Sequence, residues 1–131
     1  MKKILPVLAG IFSAFAVMMV FEFTNSLLFP FPADLNTQSL EQVRAFAAHM
    51  PLSALILVAL GWMIGSTLGG FLSTKLSKSK SAQPALTVGI VLTLLGAFNA
   101  WMIQNPLWFH VGGLTIFIIF SFIGYRLATQ K

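Results

Sequence analysis

The sequence predicts an all-α polytopic membrane protein: one domain over residues 1–131, a four-transmembrane-helix bundle with a short external amphipathic helix. Three observations carry this reading. Hydrophobic residues make up 57% of the chain and charged residues 8%, whereas about a quarter of residues are charged in soluble domains. Four apolar runs, 4–29, 52–74, 85–103 and 107–125, are each long enough to cross a hydrocarbon core of about 30 Å at about 1.5 Å per residue. With the runs spanning in alternation, Lys2, Lys3, Lys75, Lys78, Lys80, Arg126 and Lys131 share one side, while the other holds Arg44, Asp34 and Glu41. By the positive-inside rule the basic side is cytoplasmic and holds both termini. The net charge of +5 is therefore a topology signal, not a sign of nucleic-acid binding, and the expected surroundings are the lipid bilayer.

The first run opens near Ile4, tolerates Pro6 in its first turn and stops before Pro30-Phe31-Pro32. Lys2-Lys3, an apolar stretch and Ala14-Phe15-Ala16 have the outline of a signal peptide, but the apolar run continues to Phe29, so the segment is expected to be retained as a span. Ser39 followed by Gln42 makes a capping-box start for the amphipathic helix, about 40–50. Leu40, Val43, Phe46, Ala47 and Met50 form its apolar face, which is expected to lie flat over the outer mouth of the bundle, and Pro51 ends it.

In the second run, Gly61, Gly65 and Gly69 stack at four-residue spacing, a helix-packing stripe that suits contact within the chain as well as a homo-oligomer or membrane-protein partner. A solvated Ser/Lys connection follows, and Pro84 opens the third run. Gly89, Thr93, Gly96 and Asn99 form a small and polar stripe there, matched in the fourth run by His110, Gly113, Phe117, Ser121 and Gly124. Only Gln104-Asn105-Pro106 separates the last two runs, which must be antiparallel neighbours. Trp101 and Trp108 flank that turn, where interfacial aromatics belong.

Glu22 is the one acid inside any apolar run. A carboxylate costs about 3 kcal/mol at the centre of a membrane helix, so such a residue is a site hypothesis by default. Rise per residue places Glu22 about 7–10 Å below the outer boundary, with Asn99 and His110 about 5–6 Å below it. The expected ligand-binding set is Glu22, Asn25, Asn99 and His110, with His49 at the end of the amphipathic helix able to close over them. A carboxylic acid facing an imidazole and two carboxamides can exchange a proton or hold a small cation. One carboxylate with two imidazoles falls short of a transition-metal site, and no metal or other cofactor is expected. The absence of cysteine removes thiolate chemistry. No triad order, carboxylate pair or phosphate-binding glycine loop points to an enzyme.

Glu22, Phe29-Pro30-Phe31-Pro32, Met50-Pro51-Leu52, Gly61-Trp62 through Gly69-Gly70, and Asn105-Pro106-Leu107-Trp108-Phe109 give the chain, over nearly its whole length, a pattern that resembles short four-span bacterial inner-membrane proteins of no assigned function. The resemblance implies a bacterial inner-membrane setting and carries no activity. The residues support a small transport or ion-handling module that binds a proton or small cation around Glu22. The alternative is a non-catalytic accessory or assembly subunit in which a protonated Glu22 serves as a structural hydrogen-bonding residue.

Overall fold

The computed structural model describes residues 2–130. It consists of α1 (Ile4–Leu28), α2 (Leu40–Ala48), α3 (Leu52–Ser77), α4 (Gln83–Ile103) and α5 (Leu107–Thr129). All but α2 are long and apolar enough to cross a membrane, which is consistent with an integral membrane protein. Their outward faces are apolar, as at Phe12 (71% exposed) and Leu107 (78% exposed), so their burial needs a non-aqueous surrounding. The apolar runs of the sequence and the helices coincide closely, except that α3 and α5 each run several residues further, to Ser77 and Thr129. Those extra turns contain Lys75 and Arg126, whose charges suit the negative ends of the helix dipoles.

Local chemistry explains the breaks. Pro51 and Pro106 precede the first residues of α3 and α5, and Pro84 sits in the first turn of α4, where its missing N–H would be unpaired in any case. The helices α3 and α4 stop where Lys78 (φ 54°) and Gln104 (φ 57°) turn into the left-handed region, a standard way to end a helix. Ser39 Oγ accepts a hydrogen bond from Gln42 N at 3.4 Å to start α2.

The long helices pack as a rhombus. One corner helix, α1, lies mainly against α3; its opposite, α5, lies against α3 and α4; and α1 does not reach α5. Glycine sets these seams. A Cβ on Gly69 would lie 2.7 Å from Gly10 O, one on Gly65 2.8 Å from Ala14 O, and one on Gly61 2.6 Å from Phe21 Cβ. The stripe in α3 is thus occupied by α1 of the same chain. On the other side of α3, Gly70 faces the Ser121 backbone and Gly124 faces the Thr67 and Phe71 backbone. The central core is Ala14, Met18, Val88, Leu92 and Phe117, with Val7, Ile11 and Trp62 packed against it.

The α3–α4 connection and the start of α1 share one end of the bundle, here the lysine end. Lys131 lies outside the described residues. The short helix α2 lies at the opposite end, beside the C-terminus of α4. Arg44 fastens it there, donating from Nε to Met102 O at 2.7 Å and from Nη2 to Trp101 O at 3.5 Å. These carbonyls belong to the last turn of α4 and have no intrahelical partner of their own, so a guanidinium is a suitable cap. Phe31 and Phe46, with ring centroids 5.0 Å apart, hold the other side of α2. Arg44→Gln is expected to weaken this anchorage by about 1 kcal/mol. Amide hydrogen exchange would then rise about fivefold in α2 and stay unchanged in α3 and α5; equal protection in both proteins would show that Arg44 is not the anchor.

Candidate functional site

Near the lysine end, α1, α3 and α4 converge. A Cβ on Gly10 would meet Gly69 O at 2.5 Å, Ser73 Cβ at 2.9 Å and Val88 Cγ2 at 3.0 Å. Toward the α2 end, α1 and α4 part, and the space between them holds two cavities. The deeper, about 250 Å³, has Met18, Met19 and Glu22 on the α1 wall, Leu95 and Asn99 on the α4 wall, and Trp62 and Phe117 at its base. The outer one, about 430 Å³, also touches Glu22, Asn99 and Trp62, and continues to Asn25, Asn105 and the underside of α2 at Val43, Phe46 and Met50. Shared walls make them one cleft in two compartments. The apolar face of α2 covers the outer compartment.

Helix geometry explains how Glu22 reaches this cleft. The buried residues Pro6, Gly10, Ala14 and Met18 recur every four positions along α1. Because four residues overshoot a turn by about 40°, that stripe rotates steadily around the helix. One step beyond Met18, Glu22 has moved off the α3 contact onto the wall facing α4 and remains exposed. Asn25, seven residues beyond Met18, returns to the buried face and is only 9% exposed.

Glu22, Asn25 and Asn99 are therefore brought together, as the sequence suggested. His110 shares a small pocket with Asn99 and Asn105 between α4 and α5. Its Nε2 is paired with the Asn105 carbonyl, so the ring is turned back over its own helix start, and His110 lines neither compartment of the cleft. His49 is exposed at the end of α2, with Nδ1 2.9 Å from Ala45 O, and lies outside both cleft compartments.

Two buried acceptors stand out. Asn25 Oδ1 and Asn105 Oδ1 have no hydrogen-bond partner among the described residues, although both side chains border the outer compartment. Both oxygens are fully buried, so a ligand in the cleft meets instead the exposed side chains of Glu22 and Asn99. Trp62, Phe15 and Phe117 add aromatic surface to the deeper compartment, and aromatic faces attract cations. Carboxylate and carboxamide oxygens are hard ligands, matched to ammonium groups and hard metal cations.

Two contributors were not apparent from sequence reading. Trp62 borders the cleft and the His110 pocket; the available signal was a tryptophan in mid-span, away from the interfacial belts where the residue usually sits. In the sequence Asn105 is only part of a turn, and no pattern distinguishes its role. In comparisons with family models, curated proteins and solved structures, nothing matches this chain.

Proposed function

We propose that the protein is a small transport or ion-handling module of a bacterial inner membrane, with both termini cytoplasmic, that binds a proton or small cation in the α1–α4 cleft. The observation that carries this reading is the placement of Glu22 and Asn99 on opposite walls of the same cleft. Glu22 supplies the charge, and the Asn99 carboxamide supplies a further oxygen ligand. Arg44 and the α2 face give the site a cover on the side assigned to the exterior by the distribution of basic residues. An accessory role through α3 draws little from Gly61, Gly65 and Gly69, because α1 already occupies that face.

The test is ion flux into liposomes containing the purified protein. Wild-type protein is expected to dissipate an imposed proton or monovalent-cation gradient, and Glu22→Gln to slow that flux at least about tenfold with folding intact, a loss of roughly 1.4 kcal/mol in transition-state terms. Tight wild-type liposomes, with only Glu22→Leu disturbing assembly, would overturn the transport reading in favour of the accessory subunit.

A further inference from the structure

At the lysine end, a separate cavity of about 650 Å³ lies between the first turns of α1 and the α3–α4 connection. Its polar side is formed by Lys3, Ser79, Ser81 and Gln83, and its apolar side by Ile4, Val7 and Pro84. The connection that carries the serines is held from the opposite side, where Tyr125 Oη donates to Lys80 O at 3.0 Å.

The hydrogen bonds of this wall leave donors in excess. Ser77 and Thr87, which also border the cavity, spend their hydroxyl hydrogens on Thr74 O at 2.9 Å and Gln83 O at 2.8 Å. The Ser79 and Ser81 oxygens are 3.1 Å apart and share one hydrogen bond. Each hydroxyl carries one hydrogen, so the second of this pair still seeks an acceptor. Three of their four lone pairs are already used: Ser81 N donates to Ser79 Oγ at 3.1 Å, Gln83 N donates to Ser81 Oγ at 3.4 Å, and one hydroxyl accepts from the other. Lys3 brings three more donors and a positive charge, and Gln83 a carboxamide. No Asp or Glu side chain answers them, because Glu22, Asp34 and Glu41 all lie toward the α2 end.

We infer that this cavity binds a phosphate group, with Lys3 as the charge partner and the Ser79–Ser81 hydroxyl pair and Gln83 as hydrogen-bond donors. Anionic phospholipid headgroups and soluble organic phosphates share this chemistry. The cavity lies at the end of the apolar spans, and Ile4, Val7 and Pro84 offer apolar surface beside the polar groups, suited to the glycerol and acyl carbons of a lipid. Basic pockets between helices at this level suit anionic headgroups.

The test is native mass spectrometry of the intact, detergent-solubilised protein titrated with phosphatidylglycerol, and separately with glycerol phosphate. Lys3→Gln is expected to weaken phosphatidylglycerol binding about fivefold, the effect of one lysine near an anionic surface, and Lys3→Arg to retain it. Lys78→Gln is the control, since Lys78 is in the same basic cluster and outside the cavity. A site predicts a loss at Lys3 and none at Lys78; equal losses would mean diffuse attraction and would overturn the assignment, as would binding indifferent to both. Lys3-dependent binding of lipid but not of glycerol phosphate identifies a headgroup as the source. Equal Lys3-dependent binding of both supports the phosphate site with a soluble ligand.

Discussion

Gly70→Val and Gly124→Val are each expected to destabilise the bundle by about 3 kcal/mol or more, at the upper end of the range for overpacked cores. Both glycines lie where α3 crosses α5 backbone to backbone. A Cβ on Gly70 would fall on the Ser121 carbonyl oxygen, with Ser121 C at 2.8 Å and Cα at 2.9 Å; one on Gly124 would fall on Thr67 O, with Phe71 N at 2.6 Å. Backbone atoms cannot rotate away as a side chain can, so the two helices must separate along their contact. Gly61→Val should also destabilise the bundle, because Phe21 Cβ at 2.6 Å is fixed to its own backbone and only a shift of α1 from α3 relieves the contact. Gly112 has nothing within 4 Å of its Cβ position, and Gly112→Ala should gain up to about 1 kcal/mol from helix propensity. Unfolding in mixed micelles, followed by far-ultraviolet circular dichroism, ranks the four variants. An unchanged midpoint for Gly70→Val would mean that the α3–α5 contact is looser than the structure describes.

The helices were legible because their signals are local and repeated: apolar runs of membrane length, prolines at Pro51, Pro84 and Pro106, and Ser39 ahead of α2. The small-residue stripes were legible for the same reason, since each glycine at four-residue spacing falls on one helix face. Which helix uses a stripe was not legible. Gly61, Gly65 and Gly69 could as well have met another chain, and only the packed fold assigns them to α1. The candidate site was readable in part. Depth brought Glu22, Asn99 and His110 into one layer, and helix spacing added Asn25 one turn beyond Glu22. The turn of His110 toward the Asn105 carbonyl depends on a backbone acceptor exposed by the Pro106 break, which a list of side chains does not reveal. Arg44 was legible only as a charge. Its role as a cap on α4 spans 58 positions of sequence and arises only when α2 folds back over the bundle end.

Trp62→Ala should cost about 2 kcal/mol, with consequences for both the fold and the cleft. The indole packs against Phe109 and Phe117, at centroid distances of 5.0 and 5.2 Å, and fills the place left by Gly113, where a Cβ would collide with the ring. In a water-soluble core this truncation costs about 3–5 kcal/mol, combining hydrophobic transfer with the void left behind. Between membrane helices most of the transfer part vanishes, since lipid tails are as apolar as the core. The void part remains, at about 24 cal/mol per Å³ over a space on the order of 100 Å³. The same void would join the His110 pocket to both compartments of the cleft, because Trp62 borders all three. Added indole should therefore recover part of the lost stability of Trp62→Ala and leave wild-type protein unaffected, as apolar ligands fill engineered cavities. Under the proposed function, the variant should also pass larger organic cations than the wild type. Wild-type stability in Trp62→Ala, or stabilisation of both proteins by indole alike, would remove Trp62 as the partition of the cleft.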